Sequence, residues 1–495
     1  MDVAVVGGSA GGLSTALVLA RRGHRVTVLD RDDLTPAPDL ETAAAEALRP
    51  TAPQIVQPHV LLAGTRVLLE QLLPDVLAAL YTAGARVAPL ASQMAATLQD
   101  RSPRPGDDEL RPIMCRRAAL DWVLARAAAT EPGVGVRPGV TVTGLLADRP
   151  DDGPDGAGPP RVRGVRTSAG DVAADLVVDA AGRRSAIDRW LDGIGARRSS
   201  VESAACGLAY FGRQYRMREG APLPGPETAR VVMGLDEFTL GIWAGDNRTA
   251  QIALAPLAAD RRFRAARDPD VFDATLRTVP YYAAWLDVLD PISEVAVMGG
   301  LHNTFRRLVV DGRPVALGLF AVGDAVCTTN PTFGRGIGVA LRTVADLAEV
   351  LAAHPDDPEA AALAMDRAVV EHVRPWFADQ AASDAARLAA LRHSVLGEQA
   401  PDPPPPRADR VSFTELRRAS LVDPLAFRAV VRIMGMVGDP GTLYTDPEIV
   451  AATRAALDRV ATAVPQPTRA ELEEALRPTP ASSGCAPCAA PARPG

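Results

Sequence analysis

VAVVGGSAGGLSTALVLARRGHRVTVLD, residues 3–30, sets the fold of the N-terminal unit. Val3 to Val6 is a short apolar strand. Leu13, Ala16, Leu17 and Ala20 then recur on one face of a helix, and Gly23 is placed to end it. Val26 to Leu29 is a second strand ending at Asp30, so the chain opens as a βαβ unit with short connections. Between the first strand and the helix stands Gly7-Gly8-Ser9-Ala10-Gly11-Gly12. A dinucleotide turn needs a glycine to turn tightly, a small residue where backbone meets pyrophosphate, and a glycine where helix and strand touch. Gly7, Ser9 and Gly12 fill those positions, with Gly8 and Gly11 between them. Asp30, at the end of the second strand beside Arg31, is placed to accept hydrogen bonds from a ribose.

A second pattern begins some 300 residues later. The apolar strand Leu319-Phe320-Ala321-Val322 leads into Gly323-Asp324, and Asn330-Pro331-Thr332-Phe333-Gly334-Arg335-Gly336-Ile337-Gly338 then opens a long Ala/Leu-rich helix. A carboxylate at the end of that strand suits the ribityl hydroxyls of a flavin. A glycine-rich helix start offers N–H donors and a positive dipole to the flavin edge that becomes anionic on reduction. The two patterns together point to FAD.

Taken with Arg117 and Val178-Asp179-Ala180-Ala181-Gly182-Arg183, these segments resemble the class A FAD-dependent monooxygenases, which have the aromatic-hydroxylase fold. The likeness spans roughly residues 1–350. Gln54-Ile55-Val56-Gln57-Pro58-His59 and the stretch from Gly323 to Pro331 are similar to segments of actinobacterial natural-product hydroxylases and epoxidases. The resemblance implies that Asp324 binds the ribityl chain, that Arg117 lies near the flavin phosphates, and that Gly182 belongs to the family's second dinucleotide segment. It also implies that His59 and Arg335 stand beside the flavin as candidate catalytic residues. Gln57 occupies the position of the first His of a pair in those relatives, and Arg335 a position where many have Gln.

The remainder divides coarsely. Tyr210, Tyr215, Met217, Met233, Phe238 and Trp243 alternate as in an antiparallel sheet, with Tyr210, Phe238 and Trp243 expected to face a substrate; Tyr281, Tyr282 and Trp285 are further aromatic candidates. Residues 335–395 and 413–475 carry helical periodicity, and PDPPPPRAD at 401–409 is a stiff linker. The expected fold is α/β. Residues 1–90, 110–200 and 300–350 form a discontinuous Rossmann-like FAD-binding domain. Residues 91–109 and 201–299 form an antiparallel β-sheet substrate domain. Residues 351–475 make a C-terminal helical region, and 476–495 a disordered tail holding Cys485 and Cys488.

Composition narrows the partners. The 495 residues are 47% hydrophobic and 23% charged, with net charge −7, which disfavours general affinity for nucleic acid or an anionic membrane. All 53 basic residues are Arg, so no lysine is available as a nucleophile. The five cysteines do not form a disulfide framework, no metal-ligand pattern appears, and no apolar run reaches the roughly 18 residues of a membrane span; a cytoplasmic protein is expected. His302 and Cys327 are weaker candidates, the latter expected as a small residue in a tight turn.

The expected activity is insertion of one oxygen atom from O2 into an organic, secondary-metabolite type substrate, by hydroxylation or epoxidation through a flavin C4a-hydroperoxide. Electrons would come from NAD(P)H or a separate flavin reductase, since only one complete dinucleotide fingerprint is present. The alternatives are a reductase or dehydrogenase on the same fold, or a flavin-binding protein without turnover. The halogenase branch implies a lysine and a Trp-x-Trp motif, and this chain has neither.

Overall fold

Val3, Ala4, Val5 and Val6 are buried on both faces, as a central parallel strand requires. Strand Asp2–Val6 pairs in parallel with Arg25–Leu29 on one side and Leu176–Asp179 on the other. Leu319–Ala321 and Val134–Arg137 complete a five-stranded parallel sheet at its two edges. A computed structural model of the chain describes residues 1–94, 97–148, 158–224, 232–400, 407–460 and 465–477. The hairpin tip, most of the Pro-rich linker, and the tail with Cys485 and Cys488 lie outside the described residues.

The helices that cover this sheet follow the apolar patterns read from the sequence. Ala10–Ala20, Arg117–Thr130 and Gly336–Ala353 bury Leu13, Leu17, Leu120, Leu124, Leu341 and Val344 in one core. Two further helices, Ala63–Leu72 and Pro74–Thr82, follow each other with a break at Leu73. Pro74 cannot donate its backbone nitrogen, and Leu73 before it is driven to φ −143°.

The second sheet is antiparallel, ordered Val232–Gly234, Phe238–Ala244, Thr249–Pro256, Tyr210–Met217, Leu289–Pro291, with Ala296–Met298 also paired to Tyr210–Met217. Its outer face buries Phe263, Phe272, Tyr282 and Trp285 from the helices behind it. The two units are joined by the buried Arg116, which pairs with Asp246 of the second sheet at 2.6 Å and with Glu41 at 2.7 Å. The C-terminal region is helical, including Arg374–Leu396, Phe413–Ala419 and Pro424–Gly435.

Leu90, Met94, Leu98 and Leu110, in and beside the 91–109 segment, pack with Phe427 of the Pro424–Gly435 helix.

The junction of first strand and first helix carries the tightest constraint. A Cβ on Gly12 would sit 1.8 Å from the Gly7 carbonyl oxygen, and one on Gly7, at φ +104°, would sit 2.5 Å from the Ala180 carbonyl. Gly12→Val should therefore cost about 3 kcal/mol or more, through overpacking against backbone that cannot move aside. Thermal unfolding of the variant checks this; a melting temperature within error of wild type would show that the helix can shift outward freely.

Candidate functional site

Two helices begin at one cleft. The Ala10–Ala20 helix has no side-chain cap and no acidic residue in its first turn, so its leading N–H groups open onto the cleft beside Ser9, Ala10 and Gly11. The Gly336–Ala353 helix likewise starts without a cap or an acidic residue, and Gly334, Gly336 and Ile337 line the same cleft. The turn before it needs Gly334, which takes φ +69°.

Arg117 lies between these features. Its Nε is bonded to Asp121, and its Nη2 donates to Ser9 Oγ at 3.0 Å, which holds the guanidinium against the start of the Ala10 helix. Asp324 lies between two glycine turns: a Cβ on Gly182 would be 3.8 Å from its Cβ, and one on Gly336 would be 3.6 Å from its Oδ1. No described group donates to the Asp324 carboxylate. Burial pushes its carboxyl up to about 6, against the pull of Arg117 and Arg183. The carboxylate thus faces the cleft as an unengaged acceptor.

At the other end, Asp30 accepts from the Gly8 N–H at 2.6 Å and from the Asp32 N–H at 2.8 Å. Arg49, which the sequence reading missed, reaches Asp30 at 3.1 Å, Asp32 at 3.2 Å and the Gly8 carbonyl at 3.3 Å. It lies in an irregular segment with no periodic signal. Arg31 is exposed.

His59 lines the cleft and is held from the antiparallel sheet. Gln251 Oε1 accepts its N–H at 3.2 Å, and Gln251 Nε2 donates to its carbonyl at 3.0 Å. Its Nδ1 lies 2.9 Å from the Gln57 carbonyl, which can only accept, so Nδ1 carries the proton and Nε2 the lone pair. Burial, then the charge of Arg117, lowers its pKa to about 4.

Several expectations are corrected. Arg335 does not face the cleft. It is fully buried, pairs with Asp379 at 2.6 Å, donates to the carbonyls of Ile433 and Trp376, and stacks on Phe333 and Trp376. The αR backbone at the helix N-cap turns it toward the C-terminal helices, where it clamps the Gly336 helix to them. Gly338 permits packing, since a Cβ there would meet Met436 Sδ at 2.8 Å. Phe238 points to the opposite sheet face and packs on Phe263, with ring centroids 5.6 Å apart. Tyr282 and Trp285 are core, His302 is exposed, and Cys327 is buried with its thiol pushed up by burial.

Tyr210 and Trp243 do line the cleft. Tyr210 donates to Asn330 Oδ1 and lies 2.7 Å from Thr332 Oγ1. Asn330 in turn is fixed by Asp384 at 2.8 Å and by Asn303, a buried polar network behind the Pro331 turn. Trp243, with Val60, Thr239, Thr332 and Phe333, lines both the cleft and an adjoining chamber of about 1060 Å³. That volume is at the upper end of the usual range for small-molecule sites. The chamber lies between the antiparallel sheet and the C-terminal helices, with Met233, Val430, Met434 and Tyr444 among its walls.

Residues 2–99 match the family model described as FAD dependent oxidoreductase. The chain is 28% identical over 363 residues to Protein Rv3254 of Mycobacterium tuberculosis, covering 67% of this chain and 69% of that one. Its fold is similar to that of PqsL from Pseudomonas aeruginosa, described as a probable FAD-dependent monooxygenase. The TM-score is 0.56 at 17% identity, over 80% of this chain and 98% of that one. It is also similar to the flavin-dependent brominase Bmp2, with TM-score 0.59 at 14% identity over 93% and 100% of the two chains. The α/β architecture with a Rossmann-type parallel sheet, an antiparallel sheet and a helical C-terminal region is thus similar to that of these two proteins, and residues 2–99 match the FAD-dependent oxidoreductase model.

The titration of His59 has a definite sign. Unfolded, it takes up a proton near its ordinary 6.5; folded, only near about 4. The stabilisation tied to the neutral ring is complete above about 6.5 and is lost as pH falls toward about 4. Denaturant unfolding of wild type and His59→Gln at about pH 7.5 and about pH 5 should show wild type losing more stability on acidification. Equal losses in the two proteins would mean that His59 titrates normally in the folded state.

Proposed function

We propose that this chain is an FAD-dependent monooxygenase that inserts one oxygen atom from O2 into an organic small molecule. The observation that carries this reading is that a cleft whose features fit a dinucleotide adjoins an apolar chamber large enough for a substrate, the two sharing the walls around Trp243. The fit to FAD rests on the two uncapped helix starts, the unengaged Asp324 carboxylate and the glycine contacts at Gly7 and Gly12.

FAD, when bound, supplies the electron transfer and oxygen activation; the protein supplies position and surroundings. The Ala10 helix start, Ser9 and Arg117 would hold the pyrophosphate. Gly11 lies in that helix start, while Gly8, Asp30 and Arg49 would form the adenosine end, with Asp30 orienting the turn through the Gly8 N–H. Asp324 would accept from the ribityl hydroxyls, and Gly182 leaves room for it. Gly323, Pro331, Gly334, Gly336 and Ile337 shape the turn and donors at the flavin's pyrimidine edge.

His59 Nε2, unprotonated at neutral pH, would accept a hydrogen bond from substrate or bound water in the cleft and orient it. Val60, Thr239, Trp243 and Phe333, which line both the cleft and the chamber, would limit entry of water to the reacting region. Reducing equivalents come from NAD(P)H or from a separate flavin reductase. A halogenase reading is disfavoured because the chain has no lysine. Among the described residues no helix is long and apolar enough to cross a membrane.

Purified protein should hold one FAD per chain, and Asp324→Ala should weaken FAD binding by about 1.5–3 kcal/mol, the worth of hydrogen bonds to a charged group. Flavin absorbance after equilibrium dialysis measures this, and undiminished affinity would remove Asp324 from the site. In turnover under ¹⁸O2 with a library of apolar small molecules, mass spectrometry should find product carrying one labelled atom. Unlabelled product, or full turnover without oxygen when another electron acceptor is supplied, would establish the dehydrogenase reading instead.

A further inference from the structure

Most buried arginines of this chain have a carboxylate partner. Arg116 pairs with Asp246, Arg117 with Asp121, Arg335 with Asp379, and Arg428 with Asp107. Two half-buried arginines on the chamber wall depart from that pattern. Arg387, on the Arg374–Leu396 helix, donates through Nη2 to the carbonyls of Leu235 and Phe238, both at 2.7 Å, and to Thr239 Oγ1 at 3.0 Å. Its Nε is buried without a partner. Arg417, on the Phe413–Ala419 helix, donates through Nη2 to the Val232 carbonyl. Neither has an ion pair among the described residues.

All four acceptors lie on one hairpin, Val232–Gly234 and Phe238–Ala244 with the turn between them, so the two guanidiniums converge on one side of the chamber. Carbonyls orient a guanidinium without neutralising it, and two such charges brought together oppose each other. Burial, then the neighbouring Arg417, lowers the pKa of Arg387 to about 10, against the weaker pull of Asp236, which is not within ion-pair distance. The carboxylates that line the same chamber are already committed. Asp379 holds Arg335 and the Tyr444 hydroxyl, Asp384 holds Asn303, Asn330 and Gln380, and Asp439 caps a helix through the Thr442 N–H. Both arginines line the chamber and not the flavin cleft.

We propose that the substrate taken into this chamber is a largely apolar molecule bearing a carboxylate, which Arg387 and Arg417 bind while its apolar body extends past Met233 toward Trp243. The proposal rests on the chamber being the substrate site of the oxygenase reading and names the chemistry of what enters it. A planar carboxylate can accept from both guanidiniums at once and would supply the missing countercharge. The reacting carbon would then be the end remote from the carboxylate, nearest Trp243.

The test uses the FAD-loaded full chain with Nile red, a neutral apolar dye, in the chamber. A series of aryl and alkyl carboxylates and their methyl esters compete for the dye. Each carboxylate should displace it at about tenfold lower concentration than its ester, although the ester is the more apolar, because a charge-assisted pair outweighs the added methyl. Arg387→Gln and Arg417→Gln should each reduce that preference, and the double variant should abolish it, with Arg417→Lys keeping part of it. Esters that displace the dye as well as or better than the acids, failure of the acids to displace it, or a preference that survives in the double variant, overturns the proposal. The wild-type comparison needs no variant to fold. Flavin absorbance in the same samples separates the two readings: lost carboxylate preference with FAD bound overturns this inference alone, whereas a chain that binds no FAD overturns the oxygenase reading first.

Discussion

The approach of the Gly12 α-carbon to the Gly7 carbonyl underlies the rest of the cleft. With 1.8 Å between that oxygen and the place a Cβ would occupy, only glycine lets the Ala10 helix start directly over the end of the Asp2–Val6 strand. A helix begun there aims its open N–H groups along the carboxyl edge of the parallel sheet. The turn after Leu176–Asp179 and the one after Leu319–Ala321 end on the same edge, because both strands run parallel to the first. Ala180, Gly182, Gly323 and Asp324 therefore reach the cleft through sheet register. Segments separated by about 300 residues meet because parallel strands deliver their carboxyl ends to one side.

The same register explains what was legible in the sequence. Gly7, Ser9, Gly12, Arg117, Gly182 and Asp324 could be placed at one cleft because each sits at a strand end or helix start, where spacing along the chain fixes position. The antiparallel sheet was legible as alternation, yet the face each residue takes was not. Phe238 and Trp243 are five residues apart in one strand and so fall on opposite faces; both were expected at the substrate, and Trp243 alone lies there. Odd separation in a strand forbids a shared face, so one of the two had to be core.

Arg335 was misplaced for a different reason. Its neighbours Gly334 and Gly336 do line the cleft, but side chains at a helix start project in directions set by the helix turn. The side chain that leaves this turn goes outward, into a pocket of Trp376, Ile433 and Asp379 that only the C-terminal helices create. No local pattern near residue 335 announces those helices. Arg49 and Gln251 escaped notice likewise, because each acts across long separations, Arg49 on the Gly8 turn and Gln251 on His59. Residues that hold other residues leave weak marks on sequence; those that shape backbone leave strong ones.

The C-terminal helices thus do two things through adjacent contacts. Arg335, drawn into them, ties the Gly336 helix start to the Arg374–Leu396 and Pro424–Gly435 helices, so the flavin-facing turn and the chamber roof are parts of one packed body. Arg387, one helical face away on the same Arg374–Leu396 helix, reaches instead across the chamber rim to the Val232–Ala244 hairpin. The pair Arg335–Asp379 is neutral in sum and can be buried at modest cost, whereas Arg387 beside Arg417 leaves uncompensated charge where the walls are otherwise apolar. A fold that pairs its buried arginines with carboxylates and leaves these two half-buried ones on the wall of an open cavity keeps a standing attraction for an anion there, and the helix that carries Arg387 is the same one that fixes the cleft to which the anion's far end would be directed.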